Sequence, residues 1–184
     1  MIDEFSLDRT GWARFSDDRR FRYRLARSLT DTPIVVRDSI VECARGVTFV
    51  MLNPSTADAF ELDPTVRRCV RFAHEWGADV LQVVNLFALR SMDPGALYGS
   101  GAELGAEHLN DREIIGAAIG DGVRRVIAAW GTHAVIWQRG LRVFTLLSQL
   151  KVELQHLGLT KAGYPRHPLY VKASTQPQPL ETHP

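Results

Sequence analysis

Short apolar segments recur along this chain, and segments with the spacing of α-helices separate them. Residues 47–52, 80–84 and 125–130 are rich in β-branched and other apolar side chains, as expected of strands that are covered on both faces. Residues 152–157 predict a fourth strand. Because strands that alternate with helices form βαβ units, the pattern predicts an α/β fold with three α/β/α layers. The central sheet is expected to be mostly parallel and four-stranded.

The predicted helices fall between these strands. Asp63 can cap the N-terminus of the first helix, Pro64 suits its first position, and Gly77 favours its end. Further helices are predicted over residues 106–118 and 141–150. This arrangement supplies the crossover connections that parallel strands require.

A segment near the N-terminus alternates between apolar and basic side chains, which predicts a half-buried strand. The expected apolar face consists of Phe21, Tyr23 and Leu25, and the opposite face of Arg22 and Arg24. Residues 12–16 can form the partner strand of a hairpin. We expect this N-terminal hairpin to add in antiparallel fashion to one edge of the sheet.

The length of 184 residues fits a single domain. We expect one α/β domain over residues 20–171, preceded by residues 1–20, which hold the possible hairpin strand. Residues 172–184 are polar and rich in proline, which is typical of a flexible tail.

Composition excludes several classes of protein. The 22 lysines and arginines nearly balance 21 aspartates and glutamates, so the chain as a whole is not a strong binder of polyanions. Its apolar runs are far shorter than the roughly 20 residues that span a membrane, and two cysteines are too few for a disulfide scaffold. We therefore expect a cytoplasmic protein without a membrane partner. The sequence has no Gly-rich phosphate motif and no metal-binding motif, so neither cofactor nor metal is predicted.

Polar segments follow the predicted strands, at the edge where open α/β sheets bind ligands. Asn53 follows the first strand, Asn85 the second, and Trp130 ends the third. The loop after the fourth strand holds Lys161, Arg166 and His167. An asparagine presents a donor and an acceptor in one plane, which suits the edge of a planar, polar ligand. Each asparagine also has a structural explanation, because Asn side chains commonly hydrogen-bond to nearby loop backbone.

Several of these segments resemble a bacterial and phage family called domain of unknown function 1643. The resemblance covers about residues 20–171 and rests on short motifs in combination. The motifs are Met51-Leu52-Asn53-Pro54-Ser55-Thr56-Ala57-Asp58, Asp63-Pro64-Thr65, Trp76-Gly77, Val84-Asn85-Leu86-Phe87-Ala88, Ala129-Trp130-Gly131 and Lys161-Ala162-Gly163-Tyr164-Pro165-Arg166-His167-Pro168-Leu169-Tyr170. The family name itself implies no activity.

The order of the motifs is similar, more distantly, to the uracil-DNA glycosylase superfamily. That likeness implies a glycosylase-like sheet in which Asn53 positions a hydrolytic water and His167 contacts the base, so these two are the candidate catalytic residues. The candidate residues for binding the base or ligand are Asn85, Phe87, Trp130, Lys161 and Arg166. In the superfamily, Ser-Pro follows the His-Pro motif, whereas this sequence has Leu169-Tyr170 at that point. It also carries an amide at position 53, and an amide can orient water but cannot take its proton.

Two functions are therefore consistent with the sequence. The first is hydrolysis of the N-glycosidic bond of a nucleobase in a nucleic acid or a nucleotide. The alternative is a noncatalytic module that binds a nucleobase or nucleotide on the same fold, since fold does not fix function. In both cases the expected partner is a nucleobase, a nucleotide or a nucleic acid.

Overall fold

The computed structural model describes residues 1–98 and 106–182, and its main feature is an eight-stranded sheet. The strands within these residues are β1 (Ile2–Phe5), β2 (Gly11–Phe15), β3 (Arg22–Ser28), β4 (Val36–Arg37), β5 (Ile40–Val41), β6 (Gly46–Met51), β7 (Val80–Asn85), β8 (Val123–Ala128), β9 (Leu154–His156) and β10 (Gln178–Pro179). The order across the sheet is β1-β2-β3-β7-β6-β8-β9-β10, and β4 and β5 form a separate hairpin. The predicted α/β class is confirmed, but the prediction of four strands in the sheet is wrong.

The four predicted buried strands lie side by side in the middle of the sheet. β6 pairs in parallel with β7 on one side and with β8 on the other, and β8 pairs in parallel with β9. The register places Met51 opposite Asn85 at the end of the first pair. The residues that follow these strands therefore start from the same edge of the sheet.

Antiparallel strands extend the sheet at both edges. The predicted hairpin is present as β2 and β3, with β1 added outside it, and β3 pairs antiparallel with β7. At the other edge, β10 pairs antiparallel with β9, and the Leu180 N–H donates to the Leu154 carbonyl at 2.8 Å. Residues 172–184, expected to form a flexible tail, thus include a short strand and a buried leucine. Such short pairings depend on a partner strand and leave little pattern in the sequence.

Three α-helices of the described residues cover the two faces of the sheet, as the predicted three-layer arrangement requires. They are α1 (Pro64–Glu75), α2 (Glu107–Ile119) and α3 (Arg139–Gln149). One core packs Val66, Cys69 and Phe72 of α1 against the sheet, and a second core lies on the side of α2 and α3. Asp63 caps α1 by accepting the Val66 N–H at 2.7 Å, as predicted. No helix among the described residues is both long and apolar enough to cross a membrane.

The predicted alternation of side chains in β3 is wrong, because a β-bulge interrupts it. Arg14 of β2 lies opposite Arg24, and Phe15 lies opposite Arg22, which leaves Tyr23 as an extra residue on β3. A bulge of this kind shifts the side-chain alternation beyond it. Tyr23 consequently joins a cluster with Leu109 of α2, whereas Leu25 packs in the core on the α1 side.

Arg22 and Arg24 of β3 are buried rather than exposed, at 1% for Arg22 and 0% for Arg24. Arg24 lies 3.6 Å from the buried Glu113 carboxylate of α2. Arg22 instead donates to the Ala57 carbonyl at 2.7 Å, in the loop that follows β6. The bulge therefore separates the two arginines onto different sides of the sheet.

Candidate functional site

A cavity of about 480 Å³ opens at the carboxyl-terminal edge of the parallel strands, on the side covered by α1. Its walls come from the ends of β6, β7 and β8, from the start of α1 and from the loop around residue 166. Asn53, Asn85, Trp130, Arg166 and His167 all line it. Five of the seven residues expected to form the site therefore surround one space. Its volume lies within the range of about 300–1,000 Å³ that is usual for small-molecule sites.

Asn85 is the last residue of β7 and is only 1% exposed. Its side-chain Nδ2 is buried and has no hydrogen-bond partner among the described residues. Its backbone is held from the other side, because Asn110 Nδ2 donates to the carbonyls of Asn85 and Leu86, each at 2.9 Å. Arg139 Nε also donates to the Leu86 carbonyl, at 2.7 Å. A buried amide without a partner is costly, so a ligand that accepts its hydrogen bond would be stabilised here.

Asn53 lies two residues beyond the end of β6 and is half-buried. Its Nδ2 donates to the Ser91 carbonyl at 2.9 Å and, less closely, to the Pro54 carbonyl at 3.3 Å. The Ser91 N–H in turn donates to the Pro54 carbonyl at 2.9 Å. The donor end of the amide thus fastens two loops together, and its oxygen is the atom that can accept a hydrogen bond from water.

Trp130 lines the cavity but also belongs to the core on the side of α2 and α3. It is 1% exposed and precedes Gly131, whose φ of +73° favours glycine. The Gly131 N–H donates to the Pro165 carbonyl at 2.9 Å, which ties this turn to the loop that carries Arg166 and His167.

His167 is half-buried and stands immediately before a short 3₁₀ turn, Pro168–Tyr170. Its Nδ1 accepts the Leu169 N–H at 3.4 Å, so a neutral imidazole carries its proton on Nε2. Burial lowers the pKa of His167, and the charge of Asp63 partly opposes that effect. Neighbouring Arg166 is exposed, and its Nε donates to the Leu159 carbonyl at 3.0 Å. The lowered pKa favours the neutral imidazole of His167, whose Nε2–H can donate a hydrogen bond.

Phe87 and Lys161, which the sequence suggested as ligand-binding residues, are not among the described residues that line the cavity. Phe87 lies two residues beyond β7 and packs in the core on the side of α2 and α3. Lys161 is exposed near the tip of the loop that follows β9. Closeness to the site in sequence did not bring either side chain into it.

Two charged residues line the cavity without having been predicted as site residues. Asp63, expected only as a helix cap, uses one oxygen for the Val66 N–H and accepts a short hydrogen bond from Ser55 Oγ with the other. Arg22, expected on an exposed face, also lines the cavity, and burial lowers its pKa to about 10. The capping pattern gave the position of Asp63 in the chain but not its place in the lining of the cavity. No local signal indicated the bulge that redirects Arg22.

A model of one protein family matches residues 22–169 of the chain. The chain belongs to this family, the proteins of unknown function DUF1643. The matched region contains every residue of the cavity described above except Tyr170, so the site lies within the DUF1643 region. No curated protein and no solved structure matches the chain. The described residues also contain no group of three or more His, Cys, Asp or Glu side chains that could hold a metal ion.

Proposed function

We propose that the cavity binds a nucleobase and that the protein hydrolyses the N-glycosidic bond of that base. The observation that carries the proposal is the buried Asn85 amide, which has an unpartnered Nδ2 and lines the cavity together with Trp130. A nucleobase offers what this arrangement lacks: an in-plane acceptor for the amide and a flat face for the indole. The motif resemblance to uracil-DNA glycosylases supports the same assignment.

In the proposed reaction, the oxygen of a water molecule forms a bond to C1′ of the sugar. The bond from C1′ to the ring nitrogen breaks, and its electron pair leaves with the base. Asn53 orients the water through its side-chain oxygen. His167 donates its Nε2–H to the negative charge that develops on the base, an interaction that strengthens in the transition state.

The proton of the attacking water needs an acceptor that Asn53 cannot supply. Among the described residues that line the cavity, Asp63 is the only carboxylate. We assign Asp63 as the general base, and its negative charge also stabilises the positive charge that develops on the sugar. A positioned base of this kind contributes about 10²–10⁴-fold to a rate.

A second candidate is a noncatalytic module that binds a nucleobase or nucleotide. The contact that favours it is the hydrogen bond from Asn53 Nδ2 to the Ser91 carbonyl, because a residue that fastens two loops has a structural reason to be there. A binder would retain the roles of Asn85 and Trp130. It would need no role for Asp63 beyond capping α1.

Release of free base distinguishes the two candidates. Nucleosides, nucleotides and single- and double-stranded oligonucleotides that carry uracil, thymine, hypoxanthine or modified bases are incubated with the protein, and free base is measured by mass spectrometry. We expect release from at least one class. Absence of release from all of them, together with saturable binding of a base, would replace the hydrolase by the binding module.

Asp63→Asn tests the role of Asp63 as the general base. It preserves the helix cap, because Asn caps helices about as well as Asp. We expect turnover to fall by about 10²–10⁴-fold with little change in thermal stability. Asp58→Asn is the matched control. Asp58 also accepts backbone N–H groups in the same region, from Phe60 and Glu61, but it does not line the cavity. Equal losses in the two variants would argue against Asp63 as the base.

A further inference from the structure

Arg22 is a buried charged group in the cavity to which the proposed function gives no task. Its Nη1 donates to the Ala57 carbonyl, but its buried Nε has no hydrogen-bond partner among the described residues. No carboxylate oxygen of the described residues lies within 4.0 Å of its guanidinium, although Asp63 and Asp58 act on it from farther away. An arginine that is 1% exposed, with an unused donor and no direct counter-ion, is costly unless something else pairs with it.

The pairing of the strands places Arg22 near Asn85, the residue proposed to bind the nucleobase. β3 and β7 are neighbours, the Arg22 N–H donates to the Ala88 carbonyl at 2.9 Å, and Asn85 ends β7. The bulge at Tyr23 turns Arg22 toward the side of the sheet that holds the cavity. Bulges of this kind commonly redirect a side chain beside a functional site.

The charges around the cavity also favour an anion. Two arginines, Arg22 and Arg166, line it together with one carboxylate, Asp63. Both oxygens of Asp63 already accept hydrogen bonds, from Val66 N–H and from Ser55 Oγ. An anion would be repelled at Asp63 and attracted at the β3 side, where the guanidinium can donate to two oxygens at once.

We propose that the natural ligand of this cavity carries an oxyanion group, a phosphate or a carboxylate, that pairs with Arg22. The inference rests on the proposed function and narrows its substrate class to an anionic nucleotide or an anionic base derivative. A neutral nucleobase or nucleoside then fills only the part of the cavity near Asn85 and Trp130. Arg22 is a residue that sets ligand specificity.

Pairs of ligands that differ only in the anionic group test the proposal by isothermal titration calorimetry. Uridine is compared with uridine 5′-monophosphate for the phosphate, and uracil with uracil-6-carboxylate for the carboxylate. For the wild-type protein, we expect one anionic member to bind about 10- to 150-fold more tightly than its neutral partner, which is the usual contribution of a charge-assisted hydrogen bond. The pair that shows the advantage identifies the source of the oxyanion.

Arg22→Gln is expected to remove this advantage while sparing the neutral ligand. Arg24→Gln is the matched control, because Arg24 is also a buried arginine of β3 but lies outside the cavity lining. It is expected to lower stability and keep the anionic advantage. Arg22→Lys retains the positive charge but not the planar guanidinium that can donate to two oxygens at once. This variant should therefore keep only part of the tighter binding of the anionic ligand.

The outcomes separate this inference from the proposed function. Equal affinities for the neutral and anionic members in the wild-type protein, or an advantage that survives Arg22→Gln, would overturn the role of Arg22. The nucleobase site would still stand if the neutral ligands bind and Asn85→Ala weakens them. Anionic ligands that bind through Arg22 without any release of base would support the inference and contradict the hydrolase. If Arg22→Gln does not fold, the wild-type pairs and Arg22→Lys decide the question.

Discussion

Asn110 supports the candidate site from behind, and its replacement by alanine tests that support. Asn110 is buried in α2, and its Nδ2 donates to the carbonyls of Asn85 and Leu86 at 2.9 Å each. The Leu86 carbonyl keeps a second donor, Arg139 Nε, at 2.7 Å. The alanine variant therefore loses two hydrogen bonds, each with a net value of about 1 kcal/mol.

We expect Asn110→Ala to lower the free energy of unfolding by about 2 kcal/mol, the sum of these two hydrogen bonds. For a chain of this length, that change lowers the melting temperature by about 4–8 °C. Urea unfolding followed by tryptophan fluorescence measures it as a lower midpoint with an unchanged slope.

The matched control is His108→Ala, because His108 is exposed on the same helix and should change stability by less than about 0.5 kcal/mol. Asn110→Ala should also weaken nucleobase binding, since the backbone that positions Asn85 is less well fixed. A variant as stable as the wild-type protein would refute the claim that Asn110 holds the end of β7.

Two further predictions concern buried ionisable groups. The lowered pKa of His167 means that the folded protein binds fewer protons at this residue than the unfolded chain. The contribution of His167 to the free energy of unfolding is therefore complete above about pH 6.5, and it is lost as pH falls through the lower folded pKa. His167→Gln should therefore lose less stability than the wild-type protein between pH 7 and pH 5 in urea unfolding, and an equal loss would contradict this. Glu113 is almost fully buried and lies 3.0 Å from Arg14 and 3.6 Å from Arg24. Glu113→Gln should therefore lower the free energy of unfolding by about 3–5 kcal/mol in the same assay. A loss below about 1 kcal/mol would show that the ion pairs of Glu113 contribute little to stability.

The parts of the structure that depend on local pattern were predictable from the sequence. Asp63 and Pro64 gave the start of α1, because capping depends on only a few consecutive residues. The approach of Asn53 to Asn85 followed from parallel pairing, since strands of βαβ units end at one edge. The first inference needed only a few neighbouring residues, and the second only the order of elements along the chain.

The parts that depend on pairing between distant segments were not predictable. Arg22 enters the cavity because β2 and β3 pair with one extra residue, and simple alternation gave the opposite side. Phe87 follows Asn85 closely in sequence but packs in the core on the side of α2 and α3 and does not line the cavity. The pairing of β10 with β9 involves only two residues and leaves no periodic pattern.

A crystal structure of the protein soaked with a nucleobase or nucleotide that it binds tests the central claim most directly. We predict a planar ring against Trp130, with an acceptor atom of its edge at about 2.7–3.2 Å from Asn85 Nδ2. Any oxyanion of the ligand should lie against Arg22. A ring bound outside this cavity, or inside it without contact to Asn85, would contradict the account.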